Sequence, residues 1–230
     1  MSGSIFRYPL RMEHQLLQRT REGDAQSVDR MLNELFSDNF AGEPLSPSQQ
    51  QGLIWALNTT LLRLLSEAEN ARRRGRFLAQ LENAVNAEPA CAAFRRMQQM
   101  FADLAAAYER EISRRMRRVV CDIQRYVDMN YSDHELNLNS AAQRFGLQLS
   151  QLSQAFKKTV GVNFSTYLEA LRIDKACEYL SAGMPVKQAA ESVGYDSVYV
   201  FRKAFVRKKS MLPSDYCCRR QTMQGQEEFE

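Results

Sequence analysis

The apolar residues of the first hundred positions recur at spacings of three and four, the period of a helix that is buried on one face. One such run contains Val28, Met31, Leu32, Leu35 and Phe36. Asp24 precedes this run at a position where its carboxylate can cap a helix, and Gly23 breaks the helix before it. We therefore predict a helix that begins after Asp24 and packs through its apolar face.

A second helix start is marked by Ser46-Pro47-Ser48-Gln49, a capping box with proline at the first helical position. The apolar residues that follow at helical spacing are Leu53, Ile54, Leu57, Leu61, Leu64 and Leu65. A shorter run of the same kind consists of Phe77, Leu78, Leu81 and Val85. Because these faces must be buried against one another, the front half is predicted to be a small helical bundle.

From Met97 to Val127 the apolar positions step by three or four without a glycine or proline, which predicts one long helix. The spacing is close to a heptad, so it fits a homodimer seam through the Phe101 to Val127 helix as well as a face packed inside its own chain. The same helix carries Arg114, Arg115, Arg117 and Arg118. We interpret these arginines first as a solvated face and second as phosphate contacts.

The last hundred residues contain one pattern twice. In the first copy Ala142 is followed four positions later by Gly146 and then by Leu147, and the segment 190–195 repeats this order. A small residue lets two helices approach closely, and a glycine ends the first helix with a positive φ. The apolar residue after the glycine can fill the turn. This is the pattern of a helix-turn-helix motif.

An apolar pair follows each turn and forms the buried face of the next helix. The pairs are Leu152 with Phe156, and Phe201 with Phe205. The agreement continues at a constant offset, since Ser165 and Tyr167 recur as Ser214 and Tyr216. One helix-turn-helix pattern alone would be a weak signal, but a repeated one makes an accidental match improbable.

The charge of the chain is modestly positive, with 31 lysine and arginine residues, 27 aspartate and glutamate residues and a formal net charge of +4. The basic residues are concentrated between Arg202 and Arg220, a segment whose only acidic residue is Asp215. Such a cluster favours a polyanionic partner, although a solvated helix face would explain the composition alone equally well. The repeated helix-turn-helix pattern favours the first of these interpretations, a polyanionic partner.

Metal and cofactor chemistry is not indicated. The five cysteines contain no Cys-x-x-Cys pair, and the two histidines lack ligand neighbours at metal spacing, so we expect neither a metal site nor a cofactor. The odd cysteine count and the vicinal Cys217-Cys218 fit a reducing cytoplasm. No signal peptide is visible, and the longest uncharged apolar stretch, around 52–62, is too short to span a membrane.

Several motifs in the last hundred residues carry a family resemblance. They are Phe156-Lys157-Lys158, Gly161, Phe164-Ser165-x-Tyr167-Leu168, Arg172-x-x-x-Ala176 and Pro213-Ser214-x-Tyr216. Through them the chain resembles, from about Val120 to Arg220, the DNA-binding domain of the AraC/XylS family of bacterial transcription regulators. The chain departs from the family pattern at Val206, Ser210 and Leu212, where the family usually has lysine, glycine and threonine.

The resemblance implies an all-α fold, with an N-terminal helical bundle and an AraC-type domain of two helix-turn-helix subdomains joined by a long helix. We expect a helical regulatory domain with the long connecting helix at 1–118, the DNA-binding domain at 119–220 and an acidic tail at 221–230. The implied function is sequence-specific transcription regulation, without enzymatic activity. Activation is the more common mode in the family, so we expect an activator that works with RNA polymerase on promoter DNA.

The front half also resembles a helical segment that precedes the AraC-type domain in long Gram-positive regulators. The matching residues are Phe6-x-Tyr8-Pro9, Glu13-x-x-Leu16, Gly23-Asp24 and Asn39-Phe40. The opening Met1-Ser2-Gly3-Ser4 is typical of a cloning scar, which favours a chain that is the end of a longer protein. The resemblance implies the cytoplasmic part of a membrane-anchored sensor-regulator, with a relay role for this segment and no membrane insertion of the chain itself.

Recognition helices contact base edges through residues near their N-terminal turns. By motif position the candidates for base contacts are Ser150, Ser153, Gln154, Val198, Tyr199, Arg202 and Lys203. The candidates for phosphate contacts are Lys157, Lys158, Arg207 and Lys208. Gln154 can bind adenine, Lys203 can address guanine, and Val198 can touch a thymine methyl group.

Two other classes of function compete with a regulator. Family relatives that repair alkylated DNA carry a catalytic domain with clustered cysteines, which this sequence lacks. Alternatively, the front bundle is a protein-interaction or signal-relay module and DNA binding is weak, for which Val206 and Ser210 are the sequence support. We interpret the chain as a sequence-specific regulator ahead of both.

Overall fold

The computed structural model describes residues 6–41, 45–67, 75, 77–81 and 89–216 of the 230-residue chain. The regular structure of these residues is helical, which confirms the expected all-α fold. The helices are α1 (Leu10–Glu22), α2 (Ala25–Phe40), α3 (Pro47–Glu67), α4 (Ala90–Asn130), α5 (Leu138–Arg144), α6 (Leu149–Val160), α7 (Phe164–Ser181), α8 (Val186–Ser192) and α9 (Val198–Lys209). Short helical stretches also occur at 77–81 and 213–216.

The chain divides into two compact units, Met1–Arg114 and Arg115–Glu230, and the boundary falls within α4. The functional domains expected at 1–118 and 119–220 stay a prediction. The acidic tail at 221–230 lies outside the described residues, as does Val85 at the end of the short apolar run.

The described residues of the first unit form one apolar core, to which α1, α2, α3, the stretch 77–81 and the first half of α4 contribute. Both predicted helix starts are confirmed. The Asp24 carboxylate accepts the backbone N–H of Ser27 at 3.0 Å and caps α2. The Gln49 side chain accepts the Ser46 N–H at 2.8 Å, and the Ser46 hydroxyl accepts the Gln49 N–H at 3.4 Å, which completes the capping box of α3.

The segment before α1 is bound to the bundle through its backbone. The Asn39 side chain accepts the Arg7 N–H at 2.7 Å and donates to the Arg7 carbonyl at 2.9 Å. The next residue, Tyr8, shares a hydrogen bond with the Thr60 hydroxyl at 2.9 Å. Burial raises the pKa of Tyr8 to about 12. Two of the motif positions noted in the front half, Tyr8 and Asn39, therefore hold this segment in place.

Part of the apolar face of α4 is buried inside the chain. Phe101 and Leu104 are buried in the core of the first unit, and Ile123 and Val127 are buried in a core of the second. Elsewhere on the same face Ile112 is 47% exposed, and Tyr108, Met116 and Val119 are partly buried. The four buried side chains therefore pack inside their own chain, and a homodimer through the Phe101 to Val127 helix stays a prediction.

Within residues 115–216, the described part of the second unit, there are two apolar cores, one for each helix-turn-helix. The C-terminal half of α4 packs with α5, α6 and the start of α7 around the first core. The second core lies between the end of α7, α8 and α9. The crossover occurs within α7, because Leu168 belongs to the first core and Ile173 to the second. This helix is the long connection that the family resemblance implied, and we call it the linker helix.

Candidate nucleic-acid interface

The turn of the first helix-turn-helix is closed by two backbone hydrogen bonds. The Leu147 N–H donates to the Ala142 carbonyl at 2.9 Å, and the Gly146 N–H donates to the Gln143 carbonyl at 3.2 Å. Gly146 has a φ of 64°, in the left-handed region that favours glycine. This pair of bonds is a Schellman motif, which ends α5 and redirects the chain into α6.

The second copy repeats the same turn. The Tyr195 N–H donates to the Ala190 carbonyl at 3.0 Å, the Gly194 N–H donates to the Glu191 carbonyl at 3.1 Å, and Gly194 has a φ of 84°. Both small residues, Ala142 and Ala190, are buried between their helices. The repeat seen in the sequence is therefore a repeat of backbone geometry.

Helices α6 and α9, the two recognition helices, each bury one face and expose the other. The buried residues are Leu152 and Phe156 in α6 and Phe201 and Phe205 in α9. On α6 the exposed residues include all of the predicted contacts, namely Ser150, Ser153, Gln154, Lys157 and Lys158. On α9 the exposed ones are Tyr199, Arg202, Lys203, Arg207 and Lys208. The predicted contacts of each helix, apart from Val198, therefore lie on its exposed side.

Val198 differs from the other predicted base contacts. Its side chain is partly buried against the second core. The exposed apolar surface at this end of α9 belongs instead to Tyr199 and Val200, which are 66% and 53% exposed. Val200 was not among the residues predicted from the sequence, although its place in the first turn of α9 is a signal for it.

Both recognition helices begin without a side-chain cap from the residue that precedes them. Gln148 precedes α6 and Ser197 precedes α9, and neither side chain accepts a backbone N–H of the first turn. By contrast, Asn137 caps α5 and Asn163 caps the linker helix. The first N–H groups of α6 and α9 consequently lack this acceptor, as suits helix ends that bind phosphate.

Lysine 203 is held by an aromatic neighbour on its own helix. Its ammonium group lies 4.5 Å from the centre of the Tyr199 ring, one helical turn earlier. A cation at this distance is attracted to the face of the ring. The contact favours a conformation of Lys203 in which its ammonium group lies over the Tyr199 ring, on the exposed face of α9.

The C-terminal part of α9 is tied to the linker helix by two ion pairs. Arg207 donates through Nε and Nη2 to the two carboxylate oxygens of Glu169, and Lys209 donates to Asp174 at 2.7 Å. These hydrogen bonds raise the pKa of both Arg207 and Lys209 above their usual values. The sequence reasoning missed both acidic partners, because they are far from α9 along the chain.

A metal site does not appear in the part of the chain that the structure describes, since no group of three or more His, Cys, Asp and Glu side chains is placed to hold one. None of the helices in the described residues is both long enough and apolar enough to cross a membrane.

Comparison with known proteins assigns part of the second unit to a family. Residues 141–220 match the model of a family of helix-turn-helix domains. The chain is 30% identical over 92 residues to an HTH-type transcriptional regulator of Bacillus subtilis (strain 168), YtdP, covering 40% of this chain and 12% of that protein. It is 29% identical over 98 residues to the arabinose operon regulatory protein of Salmonella typhimurium, covering 42% of this chain and 35% of that protein.

Two solved structures are similar to part of the chain. The C-terminal domain of AraT, a response regulator from Geobacillus stearothermophilus, is 30% identical with a TM-score of 0.43, covering 45% of this chain and 84% of that one. A DNA-binding transcriptional dual regulator from Escherichia coli K-12 is 27% identical with a TM-score of 0.40, covering 46% and 93%. The chain spans at most 35% of the length of the two relatives above. The family match and the two curated relatives identify residues 141–220 as a helix-turn-helix domain of the AraC type.

Proposed function

We propose that this chain is a sequence-specific transcription regulator that inserts α6 and α9 into adjacent major grooves on one face of a DNA duplex. The observation that carries the proposal is the repeated recognition helix, buried on one side and polar or basic on the other. A helix of this kind fits the width of the major groove, and two of them on one short domain can read successive turns.

The proposed base contacts lie in the first two turns of the two helices, and all of them except the partly buried Val198 are exposed. On α6 these are Ser150, Ser153 and Gln154, and the glutamine amide suits an adenine, which has both a donor and an acceptor in the major groove. On α9 they are Val198, Tyr199, Arg202 and Lys203. The basic pair Arg202 and Lys203 suits guanine, and the apolar start of the helix suits a thymine methyl group.

The proposed phosphate contacts are Lys157, Lys158, Arg207 and Lys208, which position the protein without reading sequence. Arg207 uses two N–H groups on Glu169, and its other guanidinium N–H groups can still reach a phosphate. The uncapped N-terminal turns of α6 and α9 add backbone donors to the same task.

The biological setting follows from the family. We propose activation of transcription with RNA polymerase as the protein partner, action in the cytoplasm and no enzymatic reaction. In this proposal the bundle of the first unit relays a signal to the DNA-binding domain. A protein-interaction module with weak DNA binding is the competing function, and it predicts a different result in the experiment below.

The experiment is a selection of binding sites from random duplex DNA with the full chain, followed by titration of the best site and of a scrambled site across a salt series. We expect a site with two boxes about one helical turn apart and a specific affinity about 10³-fold or more above that for scrambled DNA. Equal affinity for both duplexes at every salt concentration would contradict the proposal and favour the interaction module.

A further inference from the structure

Arg172 lies at the point of the linker helix where the chain passes from one helix-turn-helix to the other. Leu171, just before it, packs against the first core, and Ile173, just after it, is buried in the second. A single helix between two cores leaves their relative rotation open to bending and twisting of that helix. A further contact from the side would be needed to fix it.

The Arg172 side chain makes such a contact with the loop that leads from α4 to α5. Its Nε donates to the Tyr131 carbonyl at 2.8 Å, and its Nη2 donates to the Asp133 carbonyl at 2.6 Å. The guanidinium is half-buried, and this desolvation lowers the pKa of Arg172 below its usual value. Two carbonyls of the first subdomain thus satisfy a cation that sits on the linker helix.

The same guanidinium also meets the turn of the second helix-turn-helix. Its Cζ lies 5.6 Å from the centre of the Tyr195 ring. A Cβ atom built on Gly194 would lie 2.8 Å from the Ser132 carbonyl oxygen and 3.0 Å from Nη2 of Arg172. The loop of the first subdomain and the turn of the second are therefore in van der Waals contact around this side chain.

A second tie joins the same parts. The hydroxyl groups of Tyr131 and Tyr179 share a hydrogen bond of 3.0 Å, and the Tyr131 ring packs against both cores. Tyr131 comes from the loop and Tyr179 from the second half of the linker helix. The loop is thus held on both sides of the point where the two subdomains meet.

We propose that Arg172 fixes the rotation of the two recognition helices relative to each other, and thereby makes the protein selective for the spacing between the two DNA boxes. The inference rests on the proposed function. Arginine suits this position because a planar fork donates to two carbonyls while its face lies on an aromatic ring, which a lysine ammonium cannot do. Arg172 affects the DNA contacts of α6 and α9 by setting the relative orientation of these helices, and it need not touch DNA itself.

The experiment measures the affinity of the full chain for the selected site, for the same site with its boxes moved about two base pairs closer or farther apart, and for each box alone. For the unsubstituted chain we expect at least about a tenfold loss on either displaced site, since each base pair rotates the second box by roughly 35°. For Arg172→Lys and Arg172→Ala we expect that spacing penalty to fall to about threefold or less, because a subdomain free to rotate can follow its box.

Arg125→Lys is the matched control, because Arg125 is exposed and pairs with Asp122 on its own helix; we expect it to keep the full spacing penalty. Tyr179→Phe serves if the Arg172 variants fail to fold, since it removes one hydroxyl and should reduce the penalty in the same direction. An unchanged spacing penalty in folded Arg172 and Tyr179 variants would overturn the inference. Failure of the proposed function differs, since the unsubstituted chain would then not distinguish the selected site from scrambled DNA.

Discussion

Glu169 of the linker helix and Arg207 of the second recognition helix face each other through a forked ion pair, in which Nε and Nη2 of the guanidinium donate to the two carboxylate oxygens. The carboxylate is the less exposed partner, at 24% against 62% for the arginine. The pair fastens the end of α9 to the linker helix. It also places a negative charge beside a residue proposed to contact phosphate, and so offsets part of the basic cluster.

Replacing Glu169 by glutamine should therefore strengthen the binding of any duplex. Removal of the carboxylate charge leaves Arg207 free to neutralise a phosphate, so the slope of log K against log salt should become more negative by up to about 0.9. Glu178→Gln is the control, because Glu178 lies on the same helix and pairs with Lys175 one turn away. Weaker binding with an unchanged slope would mean that the pair serves only to hold α9.

Replacing Lys203 by alanine should cost roughly 1 to 3 kcal/mol on the selected site and relax selectivity at one base pair, because its ammonium is proposed to bind a guanine edge. The Tyr199 ring favours the conformation in which that ammonium lies over it. Tyr199→Phe, which keeps the ring, should retain selectivity there, and Tyr199→Ala should lose part of it. Equal losses of Lys203→Ala on specific and scrambled DNA would contradict the base contact.

Replacing Lys157 by alanine should weaken the binding of all sequences alike and flatten the salt slope by about one, because a phosphate contact carries no sequence information. Lys157 is exposed in the last turn of α6. The comparison of specific and scrambled duplexes across the salt series separates it from Lys203. A salt slope equal to that of the unsubstituted chain would exclude Lys157 from the phosphate contacts.

Replacing Ser210 by glycine should stabilise the second unit by about 0.5 to 1 kcal/mol, because Ser210 ends α9 with a φ of 57°, where a side chain is strained. Gly161 ends α6 in the same way, with a φ of 86°, and Gly161→Ser should destabilise by a similar amount. Urea unfolding followed by circular dichroism reports both. The fluorescence of Trp55, the only tryptophan, reports the first unit and should not shift.

Replacing Phe101 by alanine should destabilise the first unit by about 3 to 5 kcal/mol, because the ring is fully buried and its removal leaves a cavity. Ile112→Ala, at an exposed position of the same helix, should change the stability by no more than about 0.5 kcal/mol. Trp55 fluorescence in urea measures both, and sedimentation gives the mass. If the Phe101→Ala chain kept its stability but changed its oligomeric state, the result would support a homodimer seam on this face of α4.

Local signals in the sequence were sufficient for the helices and their ends. Asp24 and the Ser46 to Gln49 box mark starts whose side chains bond to N–H groups three residues away, so their function depends on neighbours in the chain. Gly146 and Gly194 mark turns for the same local reason. The exposed faces of α6 and α9 follow from helical period, which made the candidate DNA contacts visible before the structure.

Long-range pairings were not visible. The pattern from Phe101 to Val127 indicates that one face of α4 is apolar. It does not indicate whether another chain or the same chain covers that face. The ion pair of Glu169 with Arg207 and the contacts of Arg172 with the loop after α4 join residues that are distant in sequence. Side-chain charge alone does not choose among the many opposite charges that are available.

The sequence by itself determined the all-α class, the repeated helix-turn-helix and the polar faces of its recognition helices, because helical period, caps and turns are set within a few residues. Only the tertiary structure decided that part of the α4 face is covered from within, that Glu169 and Asp174 hold α9, and that Arg172 lies where the two subdomains meet. These relations depend on which surfaces come together when the cores form, and that is fixed by packing over the whole unit.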